Sequence, residues 1–359
     1  MLPTARDRYE AWLRKPAARD SSDPRFEIRL ADPSEYERIY DLVDTAFGVP
    51  RPRALYDWAY RRNPLGAARC WVGVERGSGR IVCSVAHFPW PIARDGEAVC
   101  GTQAGDSAVD PEYQGQGIVT LRRSVQDSNP LHASETRIGW PNEKSIGRMR
   151  KAGRAAEVAG PLYEGVFPLD ASVRRISREW ARRLITAGGR LREGWARGGG
   201  ATRRDLTVEA VGRFDSGFDE VTRRCMAWKG FWSPHDAEFL NWRYLDHPVG
   251  THRALALRTG DEVAGYCVVR TDGGKGLLLE FAAPERGEVP RLLLRAALKA
   301  TREAGCRHLG FFATPGWIRM RGSRIGRAGG KIRGLDHLFP RVAPHLGKQE
   351  RETETLVSP

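Results

Sequence analysis

The sequence predicts an α/β protein of two tandem domains, each a mixed, mostly antiparallel sheet flanked by helices. Three observations predict it. The chain has 359 residues, more than one hydrophobic core normally serves. Its two halves share a signature in register. In each half, short apolar runs alternate with amphipathic helical stretches, as layered α/β domains require.

The shared signature is the clearest. Leu55–Gly66 reads LYDWAYRRNPLG and Phe239–Gly250 reads FLNWRYLDHPVG. Trp58, Tyr60, Pro64 and Gly66 correspond to Trp242, Tyr244, Pro248 and Gly250 at one constant offset. The similarity continues downstream. Cys70–Val74 and Ile81–Val85 around the turn 76–80 match Ala254–Leu257 and Val263–Val269 around the turn 259–262, and each set reads as a β-hairpin. Arg137–Pro141 matches His308–Phe312, and each precedes an arginine-rich stretch ending in Ala-Gly, at 152–153 and 328–329. A repeat this long is a duplicated domain, since solenoid units span only about 20–50 residues.

The elements follow in order. Residues 1–25 form a charged N-terminal extension without the apolar stretch of a signal peptide. The first domain spans 26–170. Asp32-Pro33-Ser34-Glu35 carries an N-cap, a first-turn proline and a capping-box glutamate. Tyr36, Ile39, Tyr40, Val43 and Phe47 then make one apolar helix face that Gly48 ends. A strand at Ser107–Val109 leads through a glycine-rich turn to a helix starting near Gly117. Residues 171–204 are a basic helix and glycine-rich linker with an apolar stripe of Val173, Ile176, Trp180 and Leu184. This stretch reads either as an inter-domain helix or, over 171–187, as a weak contact for an anionic membrane surface. The second domain spans 205–340. In it Pro290 opens a helix closed by Gly305, followed by a strand at 307–312. Residues 341–359 form a tail.

Composition narrows the classes. A hydrophobic fraction of 41% with 28% charged residues excludes wholesale disorder. No apolar run is long enough to span a bilayer, and a cytoplasmic location is expected. The six cysteines are scattered with no CxxC pair, so reduced buried thiols and no metal are expected. The net charge of +14 admits anionic partners. Its arginines are dispersed and not interleaved with aromatics in one stripe, so no nucleic-acid partner is expected.

The segment that carries chemistry is GDSAVDPEYQGQGIV, Gly105–Val119. A strand, a turn with glycines at 115 and 117 and a helix N-terminus together make an anion seat, because the first amides of a helix are unpaired. The segment lacks the Gly-Lys-Ser/Thr of a Walker loop and the third small residue of a dinucleotide fingerprint. It resembles the pyrophosphate-binding segment of the GNAT superfamily, Gln/Arg-x-x-Gly-x-Gly/Ala, with Gln114 and Gly117 matching and Val119 in place of the last small residue. A second resemblance follows at Pro141–Ser145, where Asn142 and Gly153 sit at the family spacing. Met149 stands where many members carry a tyrosine acid, and Arg154 replaces a phenylalanine. The Leu/Phe-x-x-Trp-x-Tyr-x-x-x-Pro stretch resembles tandem GNAT-like proteins. The second half carries Pro284–Val289 where the turn should be and reads as a degenerate copy.

The resemblance implies two tandem GNAT-like domains and an N-acetyltransferase. Such an enzyme moves an acyl group from acetyl-CoA, as cosubstrate, to a primary amine of a small-molecule or peptide acceptor by direct attack in a ternary complex. Val109, Gln114, Gly115, Gln116, Gly117, Ile118, Val119 and Asn142 would hold the acyl-CoA. Asp106, beside the expected thioester, is the candidate base. Tyr163 is a candidate proton donor, with Tyr113 as an alternative. Glu112 reads as a cap of the turn, and His87 as structural. Two alternatives stay open: an aminoacyl transferase of the tandem type and a non-catalytic acyl-CoA-binding protein.

Overall fold

The computed structural model describes residues 23–129, 136–138, 163–169, 206–226, 231–284, 287–313 and 331–332. They fall into two compact units: Met1–Pro141 with Trp228–Ser233, and Asn142–Ala227 with Pro234–Pro359.

The first unit opens with β1 (Phe26–Leu30). The capping box at Asp32 and Glu35 forms as the sequence predicts, on a single 3-10 turn (Pro33–Glu35). It leads into α1 (Tyr36–Phe47), which ends at Gly48 in a left-handed cap. Next comes α2 (Arg53–Tyr60), which carries Trp58 and Tyr60. The expected hairpin is β2 (Arg69–Glu75) and β3 (Ile81–Pro89). A second hairpin, β4 (Ile92–Arg94) and β5 (Glu97–Val99), precedes β6 (Gly101–Val109), which starts well before the expected Ser107. Helix α3 (Ile118–Ser128) and β7 (Thr136–Ile138) complete the unit's main elements. The main sheet has the order β1-β2-β3-β6-β7. Its pairs are antiparallel except β6 with β7, which run parallel.

Side-chain alternation divides the core. Cys70, Val72, Ala86 and Ala108 face α1 and α2, joining Ile39, Tyr40, Val43, Tyr56 and Tyr60. Trp71, Cys83 and Val85 face the other way and join Tyr113 and Ile118 beside α3. The tyrosines form a connected set: Tyr40 and Tyr56 stack at 4.4 Å, and Tyr60 meets Tyr40 edge-on at 4.9 Å. The edge-on arrangement suits the ring quadrupoles.

The second unit begins with β8 (Tyr163–Pro168), β9 (Leu206–Val211) and α4 (Ser216–Met226). The short β10 (Phe231–Trp232) pairs with β4 and belongs to the first unit, although the sequence places it within 205–340. Helix α5 (Ala237–Leu240) runs into a π turn (Asn241–Leu245) that carries Trp242 and Tyr244. The expected hairpin is β11 (His252–Thr259) and β12 (Glu262–Asp272), followed by β13 (Lys275–Ala282). Then come α6 (Val289–Glu303), β14 (His308–Ala313) and β15 (Lys331–Ile332). The order is β15-β8-β14-β13-β12-β11-β9, with β13 and β14 parallel. Leu293, Leu294, Ala297 and Ala300 of α6 pack on Leu257, Cys267, Val269, Leu278 and Leu309 of the sheet.

One boundary needs correction. The sequence reading places residues 163–168 inside the first domain, 26–170, whereas they form β8. It pairs antiparallel with β14 from Tyr163↔Ala313 to His308↔Pro168, in the second unit's sheet. A strand belongs to the sheet that satisfies its backbone groups, and a linear repeat does not reveal which sheet that is. The linker reading over 171–204, with its membrane-surface segment 171–187, lies outside the described residues. Among the described residues, no helix is long and apolar enough to cross a membrane.

Candidate functional site

The glycine-rich turn is built from both sides. Asp110 follows β6 and caps a 3-10 turn (Pro111–Tyr113) by accepting the Glu112 amide at 3.0 Å. Arg80 donates to Asp110 at 2.7 Å and to Glu112 at 2.9 Å. The Tyr113 ring lies within 5.4 Å of the Arg25 guanidinium and 5.6 Å of that of Arg80. Its hydroxyl donates to Glu75 at 2.7 Å. The bonds from Ser78 and then Tyr113 hold the Glu75 carboxyl below the usual carboxylate range. Tyr113 is thereby engaged as a brace of the turn.

Gly115 and Gly117 adopt φ of 79° and 80°. A Cβ at either would meet no protein atom within 4 Å, so within the protein glycine is favoured here for its left-handed backbone. The side chains of Gln114 and Gln116 fold back: Gln114 donates to the Val109 carbonyl at 3.4 Å and Gln116 to the Glu112 carbonyl at 2.7 Å. Arg25 donates to Gln116 Oε1 at 2.8 Å. Ile118 is buried in the core below the turn and Val119 is half-buried, which fixes the start of α3. Gly117 is the N-cap and supplies no side-chain cap. The amides of residues 115–119 donate to no group among the described residues. Orphan amides at a helix's positive end, on an exposed turn, are the donor set that suits a phosphate.

β6 and β7 pair only from Gly101↔Thr136 to Gln103↔Ile138. Beyond Gln103, β6 has no partner on that side among the described residues. Asp106 lies in this stretch with φ of 46°. There the β3–β6 register slips between Ser84 and Ala86, so that Asp106 and Ser107 together oppose Val85. The Asp106 side chain is buried. Its Oδ1 accepts from Arg51 Nη1 at 2.8 Å and its Oδ2 from the Tyr60 hydroxyl at 2.9 Å. Both oxygens of the candidate base are thus engaged, and by side chains rather than by neighbouring backbone.

Tyr163 starts β8 in the second unit, outside the unit that holds the turn. Asn142, with Met149 and Gly153, lies outside the described residues. His87 is buried between Gln126, at 2.8 Å, and Thr102, at 3.5 Å, in keeping with its structural reading. Sequence reasoning missed Arg51, which carries no motif, and Arg25. Tyr60 was visible as half of a recurring pair, but its carboxylate partner was not. Among the described residues, no group of three or more His, Cys, Asp or Glu is placed to hold a metal.

Residues 27–128 match the family model described as an acetyltransferase (GNAT) domain. No curated protein matches the sequence. Solved structures of the same fold include a probable N-acyltransferase from Enterococcus faecalis, with 14% identity and a TM-score of 0.56 over 80% of this chain and 65% of that one. This chain therefore spans less than two thirds of that protein. A GCN5-related N-acetyltransferase from Anabaena variabilis has 13% identity and a TM-score of 0.57 over 86% and 70%. A tandem GNAT protein from the clavulanic acid biosynthesis pathway has 14% identity and a TM-score of 0.51 over 85% and 95%. At these identities the likeness is one of fold.

Proposed function

From the premise that the chain has the tandem GNAT fold, with a GNAT acetyltransferase domain over residues 27–128, we propose that it is an N-acetyltransferase. In this reading acetyl-CoA is the cosubstrate and a primary amine of a small molecule or peptide is the acceptor. The observation that carries the reading is the set of amides at residues 115–119 that donate to no group among the described residues.

These amides would hold the diphosphate of the acyl-CoA, each charge-assisted bond contributing about 1.5–3 kcal/mol. Gln114 and Gln116 hold the turn's shape through their own folded-back side chains, and Val109, Ile118 and Val119 fix its two ends. Bound acyl-CoA would supply the activated thioester; the amine attacks its carbonyl directly in a ternary complex, the C–N bond forms as the C–S bond breaks, and CoA leaves as the thiolate. The stretch of β6 past Gln103, which has no partner on that side among the described residues, offers main-chain N–H groups that can polarise the acyl carbonyl. A lysine-like amine with pKa about 10.4 is about one part in 10³ neutral at pH 7, a cost of about 4 kcal/mol. A general base or a chain of waters takes up the acceptor's proton.

The experiment is thiol release from acetyl-CoA across an amine panel, with acetyl-CoA binding measured by calorimetry. Amine-dependent release supports the reading. Binding without release with any amine supports a non-catalytic acyl-CoA-binding protein. Salt-sensitive tRNA binding without acetyl-CoA binding supports an aminoacyl transferase.

A further inference from the structure

The two units share one buried device. Tyr60 and Tyr244, matched in the repeat, each point a hydroxyl at a carboxylate on a bulged strand of their own sheet. Tyr60 donates to Asp106 at 2.9 Å and Tyr244 to Glu280 at 2.8 Å. The β12–β13 register slips between Val268 and Val269, beside Glu280, as the β3–β6 register slips beside Asp106. Burial first, and then the neighbouring carboxylate, push both tyrosines far above their ordinary range, so each stays a hydrogen-bond donor. The second partner differs: Arg51 at 2.8 Å in the first unit, His235 at 2.9 Å in the second.

The units differ in a second way. Asp106 is held at φ of 46°, whereas no described non-glycine residue of the second unit has a positive φ. The second unit builds its bulge and its tyrosine–carboxylate bond without a left-handed residue, so the fold does not demand one. Such strain persists where surrounding contacts enforce it, and it concentrates at working sites. At Asp106 it occurs between the last described β6–β7 pair and the glycine-rich turn, whereas Asp95, the other described non-glycine residue with a positive φ, sits in the tight turn of the β4–β5 hairpin. The enforcing contacts are visible. The Arg51 amide donates to Asp44 at 3.1 Å, as the Tyr56 hydroxyl does at 2.6 Å. The Arg51 guanidinium lies 5.6 Å from the rings of Phe47 and Tyr56. The chain between α1 and α2 is thereby pinned to the bulge.

We propose that Arg51 and Tyr60 are positioning residues for acyl transfer, gripping the Asp106 carboxylate so that the left-handed backbone at 106 presents its bulge amides to the acyl carbonyl. The inference rests on the acetyl-CoA reading above. Asp106 then acts as a tether. Each of its oxygens accepts one hydrogen bond, from Arg51 and from Tyr60.

The test uses the full chain and the best amine of the panel. Tyr60→Phe and Arg51→Met should each lower kcat by about 10²-fold, the scale of a small misplacement of reacting groups. Acetyl-CoA affinity and the shape of the pH–rate profile should stay unchanged, and Arg51→Lys should recover part of the loss. Tyr244→Phe, the matched change in the second unit, should lower the denaturation midpoint while kcat is retained. Retained affinity for acetyl-CoA shows that the variants fold. Unchanged kcat in both Tyr60→Phe and Arg51→Met overturns the proposal. So does a pH–rate limb lost in Asp106→Asn but kept, with full kcat, in Tyr60→Phe, which would make Asp106 the base. Failure of the wild type to bind acetyl-CoA overturns the underlying reading before any variant is compared.

Discussion

Replacing Gly117 by aspartate puts a carboxylate at the amides of residues 115–119 with little steric disturbance, since nothing lies within 4 Å of the Cβ position. The backbone there has φ of 80°, which Asp and Asn tolerate better than other side chains. The carboxylate also meets the positive end of α3, worth about 0.3–1 kcal/mol to the helix. Gly117→Asp should therefore be at least as stable as the uncharged Gly117→Asn. Binding should rank the other way. At a separation of roughly 5 Å, a carboxylate repels each charge of a diphosphate by about 1 kcal/mol at the dielectric of water and about 3 kcal/mol at an effective value near 20. Two phosphate charges give at least about 2 kcal/mol, or a rise in Kd of about 30-fold. Calorimetry with acetyl-CoA on the three proteins at one fixed ionic strength reads this difference, and added salt should narrow it. Equal weakening by Asp and Asn, or wild-type affinity in both, would refute a diphosphate seat at these amides.

Three further outcomes are expected. In the second unit, the His247 and His252 rings lie 5.1 Å apart. Burial, then Arg243, lowers His247 to about 4, and burial, then His247, lowers His252 to about 3. Their folded pKa values lie below the unfolded value of about 6.5, so the unfolded chain takes up protons first as pH falls. The stability involved is present above pH 6.5 and is lost towards pH 4 and then 3, by up to about 3 kcal/mol for His247. Denaturation midpoints across that window should flatten in the His247→Gln, His252→Gln double variant. Gly276→Ala would drive a Cβ to 2.2 Å from Thr301 Cγ2 and 3.1 Å from the His308 carbonyl, and should destabilise by about 1–3 kcal/mol in urea unfolding. Arg122 is buried in α3 with Gln126 Oε1, at 3.0 Å, as its hydrogen-bond acceptor, and burial lowers its pKa to about 10. Arg122→Met should be neutral or stabilising by about 1 kcal/mol or more. A loss of about 3 kcal/mol in chemical denaturation would mean that an anion pairs with this guanidinium.

Much of the architecture was legible in the chain. Local signals are short-range physics: the capping box at Asp32 and Glu35, the left-handed stops at Gly48 and Gly305, the hairpins at 69–89 and 252–272, and the turn glycines at 115 and 117 act within a few residues of themselves. The repeat at Trp58-x-Tyr60 and Trp242-x-Tyr244 disclosed duplication because a shared fold keeps shared core positions. Tertiary structure alone decided which sheet received Tyr163–Pro168 and which unit received Phe231–Trp232, because strand pairing is a choice among distant backbones that local sequence does not encode. It also decided what the Asp106 carboxylate contacts. A carboxylate beside a strand end reads as a base until folding brings Arg51, 55 residues away, and Tyr60, 46 residues away, onto its two oxygens.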